Sequence, residues 1–585
     1  MSNFFAELKR RNVYKVAVAY AVVGWLVIQV TATIVPALHL PDGLTTAIVV
    51  ITLLGFPIAL VIAWAFEMTP EGLKRTEDIP AGEVRSLPYW SKRKFAGFIV
   101  AVGLIAAALL SFQLLRAQWS RRAGGEDGKS IAVLPFVNMS GDKNDEYLSD
   151  GMTEELINVL ATVPGLRVPG RTSCFAFKGR NEENIFREVG NQLHVGTVLE
   201  GSVRKAAAKV RVTAQLIKVS DGYHLWSKEY DGDVRDILNF QTNVAQQVVQ
   251  ALQIQLGVDE ALALAKKPTD NPEAYRLYLL GRYEFAKFTE AGWSNAIRYY
   301  KAALKLDPNY ALAYCGLADN YVYMGSEVMP QIDATAKVRE YAEKALALDP
   351  NLAEAHMSFG LALCSAYDWR GALKEFDRAL ELNPNLAFAY EVQAWMLNGL
   401  GRFEEAIAKD KRAIELDPLN SFYQMALSFY QYWAGQYDAS IAQARKTLEM
   451  DPNSALTHVL IGLSSLKKRD TAGAIAELQK ARAPNPGAWY QGYLGYAYAV
   501  SGDRTKAEEA LHKLEELGKG QYVSPSAFAT IYLGLGDKEK CLDWLEKAYA
   551  QQDSACWYLK IDQIYDPLRD KPRFQALIPK IFGER

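Results

Sequence analysis

Three rhythms of apolar residues follow one another along the chain. In the first 120 residues they come as long uncharged runs, Val16–Leu38, Thr45–Phe66 and Phe95–Leu115. Each run is about the 20 residues that a bilayer core requires. From Ser130 to about Val258, short apolar runs and strict alternation take over. Beyond Asn271 the spacing becomes helical and repeats to the end of the chain.

The long runs predict a membrane anchor over residues 16–115, with transmembrane helices at 16–38, 45–66 and 95–115. Basic residues set the expected orientation. Lys9, Arg10, Arg11 and Lys15 precede the first run, and Lys74, Arg75, Arg85, Lys92, Arg93 and Lys94 lie between the second and third. Positive flanks stay cytoplasmic, so residues 1–15 form a cytoplasmic segment and everything after Leu115 is expected on the far side. Residues 116–129 read as a linker.

In the middle region, SIAVLPFVN (130–138) reads as a strand ended by a turn. Tyr147, Leu148, Met152, Leu156, Val159 and Leu160 fall on one helical stripe within Asn144–Val163. Leu166–Phe177 reads as a strand and Asn184–Leu193 as a helix. VGTVLEGSVRK, AKVRVTAQLIKV and YHLWSKEYD alternate apolar and polar residues, the pattern of antiparallel strands with one wet face. Asp236–Leu256 closes a compact α/β domain, expected over 130–258.

The last region is periodic. Prolines fall at 350, 384, 418, 452 and 486, at successive intervals of 34, with earlier ones at 272 and 308. A 34-residue period is that of the tetratricopeptide repeat, a helix–turn–helix unit. Small residues recur where packed helices approach: Gly360, Ala372 and Ala379; Ala394, Ala406 and Ala413; Gly462, Ala474 and Ala481. The spacing predicts an all-α solenoid of about eight units over 271–551, with 552–585 as a cap on the last apolar face.

Four stretches carry a resemblance. IAVLPFVNMSGDKNDEYLSDGMTEELINVL and VLEGSVRKAAAKVRVTAQLIKVSDGYHLWSKEYD resemble the TolB-like (FlgO-related) domain of bacterial envelope proteins. FFAELKRRNVYKVAVAYAVVGWLVIQV and FEMTPEGLKRTEDIP resemble the three-span members of that group, which end in tetratricopeptide repeats. The group includes CadC-like regulators and proteins labelled adenylate cyclases. The resemblance implies a multi-pass protein of the bacterial inner membrane with a large periplasmic region. It also implies partners among envelope proteins or peptides, besides the lipid bilayer.

Charge and motif content narrow the function. Lys plus Arg number 65 and Asp plus Glu 67, so no concentrated basic excess marks a nucleic-acid partner. AGGEDGKS (123–130) imitates a phosphate-binding loop. Such a loop needs a strand before it and a helix behind it, and here a strand follows. The six histidines are scattered without metal-ligand spacing, and the five cysteines form no CxxC pair. Cys541 and Cys556 read either as packed thiols or as a bridge across the cap. No cyclase, kinase or winged-helix motif is present, so no cofactor, metal or enzymatic activity is expected.

In tetratricopeptide arrays, positions 2, 5, 9 and 12 of each first helix face a concave groove. Carried over, the unit starting at Ala387 gives Phe388, Glu391, Trp395 and Asn398. The unit starting at Ser421 gives Phe422, Met425, Phe429 and Tyr432. These aromatics and Met suit adaptable peptide contacts. The expected function is a membrane-anchored extracytoplasmic scaffold for protein–protein interaction. The alternative is a transmembrane sensor that relays ligand binding through the anchor and its basic loop.

Overall fold

The computed structural model describes residues 129–583 except 181, 183, 326–327 and 483–487, together with 43–69, 72–75 and scattered positions between 17 and 31. It separates into two compact units, Met1–Gly125 and Glu126–Arg585.

In the first unit, α1 (Gly43–Ala65) leads straight into a hairpin of β1 (Phe66–Thr69) and β2 (Gly72–Arg75). The hairpin is antiparallel, with Phe66 opposite Arg75. Pro57 lies inside α1, where it removes one N–H from the helical ladder. Of the three expected spans, Val16–Leu38 falls mostly and Phe95–Leu115 wholly outside the described residues. Among the described residues no helix is long and apolar enough to cross a membrane. The expectation of three transmembrane helices is corrected on that finding. The inner-membrane, multi-pass location, the bilayer partner and the sensor alternative all rested on the same anchor. The helix keeps nearly the limits of the expected 45–66 run and gives way to the hairpin at Phe66.

The second unit begins with a mixed sheet. β3 (Ile131–Val133) and β4 (Val137–Asn138) both run parallel to β5 (Thr197–Ala206). β6 (Lys209–Lys218) and β7 (His224–Asp233) extend it as an antiparallel meander. Its strand order is β3-β5-β6-β7. Between β4 and β5 lie α2 (Glu146–Ala161), α3 (Arg171–Phe175) and α4 (Ile185–Leu193), and α5 (Ile237–Ala251) follows β7. Ile131, Leu156, Leu160, Val198, Leu216, Val244 and Val248 are fully buried in the resulting core. Gly201 on β5 is there for space. A Cβ would lie 2.3 Å from the Thr213 carbonyl oxygen and 2.5 Å from the Phe136 ring.

One local expectation changes. Leu166–Phe177 is not a strand; only Arg167 bridges to Ser130, and α3 occupies 171–175. The β-forming side chains there are buried by tertiary packing, with Leu166 and Val168 almost fully covered.

After α6 (Val258–Ala265) come eight helix pairs among the described residues. They are α7 and α8 (Pro272–Phe285, Glu290–Leu306), α9 and α10 (Ala311–Met324, Gln331–Leu348), α11 and α12 (Ala353–Ser365, Trp369–Leu382), and α13 and α14 (Ala387–Gly399, Phe403–Leu416). Then follow α15 and α16 (Ser421–Trp433, Tyr437–Met450), α17 and α18 (Ala455–Lys467, Thr471–Arg482), α19 and α20 (Ala488–Val500, Arg504–Leu517), and α21 and α22 (Pro525–Gly534, Lys538–Ala550). The periodic prolines explain where helices end. α8, α10, α12, α14 and α16 each stop two residues before one of them, because proline cannot extend the ladder and restricts the residue before it. The turn is fastened by the preceding Asp or Asn, whose side chain accepts the N–H two residues on. Asp307, Asp349, Asn383 and Asp451 accept from Asn309, Asn351, Asn385 and Asn453.

Asp417 breaks this rule. Its neighbour two places on is Leu419, and its Oδ1 instead accepts the Ser173 N–H of α3 at 2.8 Å. Leu419 N–H donates to Ser173 Oγ, and Gly170 N–H to the Leu416 carbonyl. One turn earlier, Asn385 Nδ2 donates to the carbonyls of Ala161 and Leu166, both at 2.8 Å. The α/β domain is thus held by two consecutive inter-repeat turns, and α2 packs on α7 as well.

The segment after Asp553 runs as two short 3-10 stretches and α23 (Pro572–Phe582). It covers Cys541, Leu542 and Leu545 of the last pair, as a cap should, and also crosses to α11–α13. Trp369 Nε1 donates to the Ile581 carbonyl at 2.6 Å, and Ile332 N–H to the Gln551 carbonyl at 3.1 Å. All five cysteines are buried and free, so the thiols pack and no bridge spans the cap.

Candidate ligand-binding groove

The first helices of the middle repeats carry an aromatic stripe. On α13, Phe388 and Trp395 meet edge to face with ring centroids 6.1 Å apart. Trp395 meets Phe422 of α15 in the same way at 5.8 Å. Two turns further along α15, Phe429 stacks on Trp433 at 5.0 Å. These residues and Met425 face a cavity of about 600 Å³. Its opposite wall comes from Trp489 and Tyr493 of α19 and from Trp557 and Tyr558 of the C-terminal segment.

Five of the eight groove residues chosen from the repeat template therefore converge: Phe388, Trp395, Phe422, Met425 and Phe429 all line the cavity. Glu391, Asn398 and Tyr432 do not. Glu391 is fully buried beneath the stripe and accepts the Tyr430 hydroxyl at 2.7 Å. Burial pushes its carboxyl up to about 7. Asp410 of α14 faces it, also fully buried, and burial together with the Glu391 charge pushes that acid up too. Neither Asp410 oxygen has another partner among the described residues, so each carboxyl disfavours the charged form of the other. Asn398 is fully buried with neither amide atom partnered among the described residues, and Tyr432 packs its ring between Trp433 and Tyr437.

Position 5 of the unit starting at Ala387 and position 12 of both units lie outside the cavity, where neighbouring helices close over them. Trp489 occupies position 2 of the unit starting at Ala488, so the same template reaches it. Trp557 and Tyr558 carry no repeat signal.

A second cleft, about 890 Å³, continues from the first and shares Val322, Tyr323, Leu361 and Phe388 with it. It lies between the repeats and α2 of the α/β domain. Glu154 projects into it between Arg171 and Arg282, each with Nε at 2.9 Å. Burial alone would raise the Glu154 carboxyl, but the two guanidinium groups outweigh it and hold it below its usual value. Glu155, beside the Tyr278 hydroxyl at 3.1 Å, is pushed up to about 7 by burial and by the Glu154 charge. Among the described residues no group of three or more His, Cys, Asp or Glu side chains is placed to hold a metal ion.

A superhelix of helix pairs with an aromatic inner face defines the C-terminal part as a tetratricopeptide-repeat array. A family model described as Tetratricopeptide repeat matches residues 359–421 and 425–488. A curated Rhizobium meliloti (strain 1021) protein, provisionally named adenylate cyclase 3, is 36% identical over 238 residues. The match covers 40% of this chain and 40% of that protein, so the chain spans well under half the length of its relative. Among solved structures, a thermophilic TPR protein of Thermus thermophilus is 20% identical, covering 33% of this chain and 99% of its own, with a TM-score of 0.29. PilF of Pseudomonas aeruginosa is 21% identical, covering 37% of this chain and 94% of its own, also with a TM-score of 0.29.

Proposed function

We propose that this chain is a binding scaffold without chemistry of its own, whose repeat groove takes up segments of partner proteins. The observation that carries this reading is the convergence of Phe388, Trp395, Phe422, Met425 and Phe429 on one cavity of about 600 Å³. Buried sites of this size and aromatic content are typical of ligand pockets. Adaptable Met and rigid aromatic rings suit peptide side chains. The domain limits expected from sequence fit this division of labour, with 130–258 as a TolB-like module docked on the repeats and 271–551 as the receptor. The cyclase activity in the Rhizobium meliloti protein's name stays with that protein. Asp553, one of the chamber's two acids, accepts the Ala555 N–H of its own turn.

A photo-crosslinking amino acid placed at Phe429, and a control at exposed Lys411 on the outer helix α14, tests the reading in cells. Discrete adducts from position 429 that are missing from position 411, and that fade on Trp395→Ala, are expected. The same adducts from both positions would overturn it.

A further inference from the structure

The chamber's charge content is one-sided. Among the described residues only two charged side chains, Asp553 and Asp562, line it, and no Lys or Arg does. Around them stand aromatic faces, among them Trp395, Phe429, Trp489, Tyr493 and Tyr558. Asp562 is 3% exposed and uses Oδ1 to accept the Ile564 N–H at 3.0 Å. Burial pushes its carboxyl up to about 6, against the pull of the Ile564 N–H and of Lys467 and Arg569, neither of which lines the chamber. Aromatic faces attract cations through their quadrupole, most strongly when the cation is desolvated. A buried carboxylate adds to that attraction.

One further observation specifies the rest of the ligand. The adjoining cleft is acidic as well: eight carboxylate side chains line it against three basic ones. A basic segment would therefore meet a matching potential along its approach.

We propose that the chamber receives the lysine or arginine side chain of a bound peptide, its alkyl stem against the aromatic stripe and its charge directed to Asp562. The proposal rests on the peptide-binding reading and adds the chemistry of the anchor residue. A glutamate at the same place would meet carboxyl groups with no Lys or Arg lining the chamber beside it. A neutral apolar residue would fill the space and leave the acid alone.

The test uses four pools of blocked heptapeptides, random except for a central lysine, arginine, norleucine or glutamate, passed over the immobilised full chain. The lysine and arginine pools should be retained at least about tenfold over the glutamate pool, with norleucine between them. Asp562→Asn keeps the turn-capping oxygen and should bring the basic pools down to the norleucine level. Trp489→Leu, on the opposite wall, should weaken the basic pools more than the norleucine pool. Retention of all four pools alike, or preference unchanged in both variants, overturns the charge assignment and leaves the groove reading standing. Retention of none overturns both.

Discussion

The ring of Tyr558 lies flat on the indole of Trp433, with centroids 4.3 Å apart and planes 13° from parallel. One residue belongs to the C-terminal segment and the other to the fifth helix pair, 125 positions earlier. The segment therefore does more than cover the last repeat. It enters the concave face and builds one wall of the chamber. Tyr558→Ala should lower the unfolding free energy by about 2–3 kcal/mol, from lost area and stacking. It should also expose residues 553–568 to protease. Thermal melts and timed proteolysis with mass spectrometry check both, and a cleavage pattern like that of the wild type would count against the wall.

The Glu391–Asp410 pair makes stability depend on pH. Both acids bind protons more tightly folded than unfolded, so their stabilisation is fully present below the unfolded-state values near pH 4. It is lost as pH rises through the folded-state values, about 7 for Glu391. The slope is about 1.4 kcal/mol per pH unit for each proton. Asp410→Asn removes one of the two acids and puts a permanent amide donor beside Glu391. It should flatten denaturation midpoints measured from pH 5 to pH 8 and raise those at the alkaline end.

Gly360 is packed against the buried Phe376 ring so closely that a Cβ would lie 2.5 Å from it. Gly360→Ala should cost about 1–3 kcal/mol by overpacking. Gly360→Ala combined with Phe376→Leu should recover part of the loss. A double variant no better than the single one would place the strain elsewhere.

Asp417 joins two parts of the fold, since its carboxylate accepts the Ser173 N–H across the domain contact. Asp417→Ala strands that buried donor and should cost about 1–3 kcal/mol. Hydrogen exchange should rise at residues 170–175 and 417–420 while the repeats further on stay protected. A uniform rise along the whole array would point to global destabilisation instead.

The repeats were readable because proline is a chemical stop: α10, α12, α14 and α16 end two residues before Pro350, Pro384, Pro418 and Pro452. The aromatic stripe was readable for a related reason. Positions 2 and 9 of a helix, along with Met425, keep to one face whatever surrounds them. Glu391, Asn398 and Tyr432 lie outside the cavity because neighbouring helices close over them, and that depends on contacts far along the chain. Trp557 and Tyr558 belong to no period, so no pattern placed them in the groove. The Leu419 that stands where other turns carry asparagine was a visible departure. Its meaning lay in Ser173, 246 residues away. The anchor expectation failed differently, because hydropathy of a run reports its solvent preference and leaves open the hairpin at Phe66–Arg75.

The hydrogen bond from Ile332 N–H to the Gln551 carbonyl changes what kind of polymer the array is. In an open solenoid each unit interacts only with its neighbours, and stability is a sum along a line. Here the final pair also rests on units near the start, so the line is closed into a loop. Deleting a 34-residue unit would break a local contact and also take the two distant surfaces out of register. The repeat number is then fixed by geometry, and unfolding should be cooperative across the whole loop, with no fraying from one end.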